Sequence, residues 1–401
     1  MNSVKLGDVT VKIGSGATPR GGKNVYVAEG TALIRSQNVL DLGITLEGLA
    51  FIDDHAAEKL SGVSVQQDDV LINITGDSTA RVALWNMELP ARVNQHVAIV
   101  RSDRERLDPR WLQYWLAQPR VKDNLLLLAS AGGSRPALTK TMLSDIEIPL
   151  PALATQHKVA SVLGSLDDKI AANRATSSAS RQLIQAIAEN SENRVSLGKL
   201  AARSKTSVRP SRLGRHLVAH YSIPNFDTGY PALESTATIR SNKMLIEHAC
   251  VLVSKLNPDT PRIWSIPAVS EKQVSLGSPE FIVLEPSGVT QSQLYAATLH
   301  PNFHEQLASL VGGTSKSHQR VKPEEMLKCL VPDVRELTNA QIDFLETLVQ
   351  LDAHAVQETN SLTNTRDELL PLLMSGKISV KEAEQQATAA GADSTSEESE
   401  A

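Results

Sequence analysis

The chain has 401 residues, 41% of them hydrophobic and 21% charged, with a formal net charge of −5. That length supports roughly two to four domains, each large enough for a core of its own. Cys250 and Cys329 are far apart and outside any CxxC, and the histidines form no HxH or HExxH. The composition therefore speaks against a zinc centre or a disulfide framework and for a reducing compartment.

Met1–Lys5 shows no signal-peptide apolar stretch, and the longest aliphatic run, Leu125–Ala129, is too short to cross a bilayer; a cytoplasmic protein is expected. Ile13 to Lys23 is rich in glycine, but its Gly16…Gly21-Gly22-Lys23-Asn24 spacing is one residue off a P-loop and lacks the magnesium-binding hydroxyl. It reads as a turn rich in donors. Strand-like runs follow at Ala32–Arg35, Asp69–Ile74, Val82–Trp85 and His96–Val100. The loops at their ends carry Arg35, Gln37, Asn38, Arg81, Asn94 and Gln95. Such side chains can pair with base edges; Asn and Ser there serve equally well to close turns. Short helices are expected over Pro109–Leu116 and Pro119–Leu128, then a Gly-Gly turn with Ser134 and Arg135.

Ile148-Pro149-Leu150-Pro151 holds the chain extended, and a long helix is expected over Ala154–Asn190. Alternate steps of four and three give a heptad seam: Val159, Leu163, Leu166, Ile170, Asn173, Ser177, Ser180, Ile184 and Ile187. About 185 residues later the spacing returns as Phe344, Leu348, Leu351, Ala355, Glu358, Leu362, Thr365, Leu369 and Leu372. Two helices on the order of 50 Å long, each closing a half of similar length, predict a coiled coil between the halves.

The second half repeats the order of the first. Ser196–Leu200 echoes Lys5–Val9, Cys250–Ser254 echoes Asp69–Asn73, and Arg262-Ile263-Trp264 echoes Arg81–Trp85. Glu280–Leu284 matches the strand before Arg101. Leu294–Leu310 reads as helical, and Gly312–Lys316 matches Gly132–Arg135. Between Glu192 and Asp227 there is no acid, while Arg194, Lys199, Arg203, Lys205, Arg209, Arg212 and Arg215 are all basic, a pattern suited to a phosphate backbone or to a plain solvated loop. Six of the 45 acidic residues fall in Glu382–Ala401, a stretch whose composition predicts a disordered tail. Catalytic signatures are missing: no amine-methyltransferase motif, Rossmann fingerprint, Walker A or nucleophile elbow. Asp53-Asp54 and Asp68-Asp69 lack a third metal ligand and read as turn residues.

In ordered combination these segments resemble the specificity subunits of type I restriction–modification systems. The resemblance rests on Leu138–Lys140 through Ile146–Pro151, then Gln156, Leu163 and Leu166–Ile170. In the second half it rests on His220–Pro224, Ile239–Lys243, Leu252–Pro258 and Arg366–Ile378. Thr155 stands where the family has Glu, and Val331-Pro332-Asp333 replaces a proline-rich entry to the second helix. The resemblance implies an α+β protein with two tandem target-recognition domains separated by two long antiparallel helices. The expected boundaries are 1–152 and 193–335 for the domains, 153–192 and 336–377 for the helices, and 378–401 for the tail.

It further implies a non-catalytic chain that reads a bipartite, asymmetric site on double-stranded DNA. It would direct two methyltransferase subunits and ATP-dependent nuclease subunits, with S-adenosylmethionine, ATP and Mg in those partners and no cofactor here. Another defence complex's DNA-binding adaptor is the alternative, and a nucleotide-dependent enzyme on the Gly16–Lys23 loop a more distant one. Candidate DNA contacts are Arg20, Lys23, Arg35, Gln37, Asn38, Arg81, Asn94, Gln95, Ser134 and Arg135 in the first domain. In the second they are Lys205, Arg209, Arg212, Arg215, Tyr221, Lys255, Arg262, Lys316, His318 and Arg320.

Overall fold

A computed structural model describes residues 3–131, 136–214, 216–270, 272–310 and 319–392, with Gly22 and Lys23 described by backbone alone. The chain forms two compact units, Met1–Asp167 with Asn364–Ala401, and Asp168–Thr363. Mixed sheets and helices in both make the α+β class that the resemblance implied.

The first unit is built on a four-stranded antiparallel sheet in the order Thr10–Ser15, Val97–Ser102, Val70–Asn73, Val82–Leu84. Every residue of Val70–Asn73 is buried, because both faces of the sheet are covered; that is why the segment reads as a continuous apolar run. One face, with Leu71, Ala83, Val97 and Ile99, packs with Ala32, Ile34 and Val93 of a second sheet and with Trp85, which follows the strand Val82–Leu84. That second sheet runs Ala91–Val93, Thr31–Ile34, Ala50–Ile52, Tyr26–Val27, its first pair parallel. The helix Pro109–Ala117 contacts the strands Val70–Asn73 and Val82–Leu84. Asp108 caps that helix through the Trp111 amide at 2.7 Å, with proline at its first position.

The second unit repeats the central sheet in the same order: Ala201–Arg203, Phe281–Pro286, Cys250–Ser254, Ile263–Ile266. Alternation is clean. Val251, Val253, Ile263, Ile282 and Leu284 pack with the helix Gln291–Leu299 and with Leu345, Leu348 and Val349. Cys250, Leu252, Ile266, Phe281 and Val283 pack the other way, against Tyr221, Met244 and Trp264. The second sheet differs from its counterpart. It has five strands, ordered Ser207–Val208, Lys243–Ile246, Ser275–Gly277, Leu217–Tyr221, Ala232–Ser235. The helical stretch expected over Leu294–Leu310 is formed by two helices, Gln291–Leu299 and Pro301–Ser309, because Pro301 cannot continue the first and starts the second.

The two long helices are Leu153–Ala188 and Asn339–Met374. Within the second unit they pair antiparallel: Asn173 meets Glu358 at 2.7 Å and Arg181 meets Asp352 at 3.0 Å. Within the first, Asp167 meets Arg366 at 2.7 Å. The apolar seam holds on the first helix, where Val159, Leu163, Leu166, Ile170, Ile184 and Ile187 are buried. On the second it is displaced. Leu348, Leu362 and Leu369 are buried, but Phe344 is 49% exposed, Leu351 45% and Leu372 37%, and Leu345, Val349, Leu370 and Leu373 are buried instead. The stripe is set by what each turn faces, here a domain as well as a helix, so a strict heptad does not follow it.

Pro371 sits in the last turn of the second helix, which closes on Gly376 at φ 70°. Lys377 N–H donates to Leu372 O at 2.9 Å and Gly376 N–H to Leu373 O at 3.0 Å, a Schellman closure. Part of the expected disordered tail is ordered: Val380–Ala389 is a helix with a capping box between Ser379 and Glu382, and it buries Ala383 and Ala387. Residues 393–401 lie outside the described residues.

Candidate nucleic-acid interface

In the first unit the loop candidates divide into builders and exposed groups. Asn38 is fully buried. Its Oδ1 accepts from the Arg35 amide at 3.1 Å and its Nδ2 donates to Thr45 O at 3.1 Å, so it braces a loop. Arg35 donates to Gly48 O at 2.5 Å, where the exposed Gln37 also reaches. Asn94 is buried and closes the turn to His96 N at 3.0 Å. Gln95 is exposed, bonded to Thr18 and to His96 Nε2, while His96 Nδ1 lies 2.6 Å from Thr75 Oγ1. Thr18, Gln95, His96 and Thr75 thus form one polar cluster at an end of the central sheet. Sequence reasoning marked Gln95 alone; the other three become visible only when the loops meet.

Arg20 is exposed and Arg81 half-buried, neither with an ion-pair partner among the described residues. Lys23 lies in the turn Gly22–Val25. The glycine at 16 has a packing reason. A Cβ there would sit 1.9 Å from Val93 O, and its N–H donates to Val97 O at 3.0 Å.

In the second unit Lys205, Arg209 and Arg212 are exposed and have no partner among the described residues. They flank Ser207–Val208, one of the two edge strands of the five-stranded sheet. Arg262 forms a two-point ion pair with Asp227 at 2.6 and 2.9 Å. Its counterpart in the repeat is Arg81: each carbonyl accepts the amide of the strand before it, Asn73 in one unit and Ser254 in the other. Arg320 pairs with Glu280 at 2.9 and 3.0 Å, and these hydrogen bonds hold the Glu280 carboxyl below its usual range. Lys255 lies in the same cluster, where burial lowers its pKa. Tyr221 packs edge-on to Trp264 at 4.8 Å between centroids, and burial pushes its phenol up to about 12. It is half-buried at the end of the strand Leu217–Tyr221, packed against the core cluster of Cys250, Leu252 and Phe281. Ser134, Arg135, Arg215, Lys316 and His318 lie outside the described residues.

The two units present their candidates at corresponding places. Thr75 bridges Ala137 in one, and Leu256 bridges Arg320 in the other, each at the end of the long central strand. Guanidinium, amide and hydroxyl donors on such loops suit phosphate and base-edge contacts. Among the described residues no group of His, Cys, Asp and Glu is arranged to hold a metal, and no helix is long and apolar enough to cross a membrane.

Comparison with known proteins finds likenesses to part of the sequence and to the fold. Residues 1–179 match the family profile described as Type I restriction modification DNA specificity domain. A protein of Methanocaldococcus jannaschii named as a type I restriction enzyme MjaX specificity subunit is 21% identical over 169 residues, 41% of this chain and 39% of that one. The match thus spans well under half of that relative. The fold is similar to the crystal structure of the type I restriction-modification system S subunit from M. genitalium, with TM-score 0.57, 14% identity, and 93% and 95% of the two chains covered. Residues 1–179 are thus similar to a type I restriction–modification specificity domain, and the fold is similar to that of a solved S subunit.

Proposed function

We propose that this chain is a non-catalytic subunit that confers DNA sequence specificity on a type I restriction–modification complex. Each unit would read one half of a bipartite, asymmetric site through its loops, and the long helices would set the gap between halves. The observation that carries this reading is one central sheet built twice in the same strand order, with a different second sheet and different loop chemistry on each copy. Two unlike surfaces on a repeated scaffold suit two unlike half-sites. Two methyltransferase subunits and ATP-driven nuclease subunits would complete the complex. S-adenosylmethionine, ATP and Mg would act in those partners, in the cytoplasm. The exposed Lys205, Arg209 and Arg212 would meet phosphates; Gln95 and Arg81, with the groups around Arg320, are proposed at the half-sites.

The test is co-expression with the neighbouring modification gene in a methylation-free host, followed by genome-wide mapping of modified bases. One motif with two unlike halves, adenine methylated in each, is the expected result. A stable DNA-bound complex with no modification would overturn it in favour of an adaptor role.

A further inference from the structure

Each unit contains one carboxylate that three elements share. In the first, Asp167 of the long helix Leu153–Ala188 accepts from Tyr114 Oη at 2.6 Å on one oxygen. Its other oxygen accepts from Arg366 Nη1, on the long helix Asn339–Met374, at 2.7 Å. In the second, the helices exchange roles. Asp352 comes from Asn339–Met374, and Arg181 of Leu153–Ala188 donates to it at 3.0 and 3.2 Å. Tyr295 hydrogen-bonds the same carboxylate, and burial keeps its phenol protonated. Tyr114 and Tyr295 sit on Pro109–Ala117 and Gln291–Leu299, the helices that lie on the central sheets.

The two sets are the same device made twice, with Asp167 and Asp352, and Arg181 and Arg366, each about 185 residues apart. Not every matched pair of the repeat keeps its contacts, even where the residue is the same. Gln156 bonds the Asp108 amide at 2.9 Å across to the domain, whereas Gln341 bonds the Thr338 amide at 2.9 Å at the start of its own helix. Tyr114 and Tyr295 are buried to 1% exposure or less, and Asp352 is 4% exposed. A carboxylate held at both oxygens by partners from two other elements has one orientation. A recognition domain therefore cannot roll on its helices without breaking a largely buried charged hydrogen bond.

We propose that Asp167 and Asp352 are positioning residues that fix the roll of each recognition domain and thereby hold the protein to a single gap between its half-sites. This rests on the bipartite reading above. One base pair more or less in the gap turns the second half-site by roughly 35° about the DNA axis. Only a domain free to roll can follow it. The half-site words themselves, read by loops at the far end of each sheet, are untouched by the clamps.

The experiment uses the full chain co-expressed with its modification partners, and reads the gap-length distribution among methylated sites for Tyr114→Phe, Tyr295→Phe and Asp352→Asn. The phenylalanine variants remove one oxygen and keep the core filled. The genome supplies the same half-site words at neighbouring gaps. The expected result is unchanged words, with gaps one base pair longer or shorter rising from background to at least about a tenth of modified sites; Asp352→Glu should narrow the distribution again relative to Asp352→Asn. A single gap retained in all three variants, at any overall level of modification, overturns the proposal and leaves the bipartite reading standing. A phenylalanine variant whose altered pattern lies in the words themselves also overturns it. A wild-type complex that modifies no bipartite sequence overturns both together.

Discussion

The central sheets of the two units agree in strand order and disagree in what stabilises them. In the first, Asp69 has a fully buried side chain and forms a two-point ion pair with Arg101 at 2.7 and 2.8 Å. Register places Cys250 where Asp69 stands and Glu285 where Arg101 stands, since Val70 pairs with Val100 in one sheet and Val251 with Leu284 in the other. The second domain thus has a neutral thiol facing a carboxylate, and burial with the nearby Glu285 pushes that thiol up to about 12. Trp85 fills the first core beneath its second sheet, whereas Trp264 of the second unit gathers Tyr221, Phe226 and Phe281 edge-on. Backbone pairing is the shared part; the side chains that hold it are not. A buried ion pair is one solution among several for a scaffold of this kind.

The comparison can be broken most forcefully at Arg101. Arg101→Ala strands a buried Asp69 charge and should cost about 3–5 kcal/mol, read as an earlier denaturant midpoint for the first unit with the second unchanged; a shift under about 1 kcal/mol would mean the pair is dispensable. Grafting the pair into the second domain, Cys250→Asp with Glu285→Arg, should destabilise it by about 1–4 kcal/mol, since an ion pair there replaces packing already satisfied. A gain in stability would show the first domain's solution to be the better one for both. Asp333 has no carboxylate counterpart in the first unit, where the matching strand pair places Leu150. The Arg335 hydrogen bond holds its carboxyl below the usual range. A depressed carboxyl stabilises the fold above its unfolded pKa and loses that contribution as pH falls through the folded one. Acid titration should therefore show Asp333→Asn erasing a small loss, under about 1 kcal/mol given the half-exposed Arg335, that wild type suffers below the ordinary carboxylate range. The smallest effect should be Glu285→Ala, within about 0.5 kcal/mol, checked by the same denaturation; a larger loss would make Glu285 a true analogue of Arg101.

The duplication was legible because its signals are local. The apolar runs at Val70–Asn73 and Cys250–Ser254, the proline-marked entries and the long helices all announce themselves within a few residues. The second sheets were not, since strands such as Tyr26–Val27 and Ala50–Ile52 are too short to show a period. Candidate residues fared according to how far away their partners lie. Nothing near Arg262 or Arg320 in the sequence tells that Asp227 and Glu280 will neutralise them. Nor can residue type alone say that Asn38 and Asn94 turn inward while Gln95 stays out. Two features carried readable signals that composition outweighed. Ser379-Val380-Lys381-Glu382 is a capping box ahead of the helix Val380–Ala389, and Pro301 marks where the helical stretch over Leu294–Leu310 divides in two.

Both cysteines, Cys250 and Cys329, belong to the second unit, and both are buried with raised thiol pKa values. Alkylation needs the exposed thiolate, so a native molecule should be silent to such reagents near neutral pH and should take them up only when that unit opens. The chain therefore carries a clock wired to one half. Labelling kinetics at Cys250 would time the opening of the second unit alone, and a ligand or partner that steadies only the first unit would leave that clock running at its old rate.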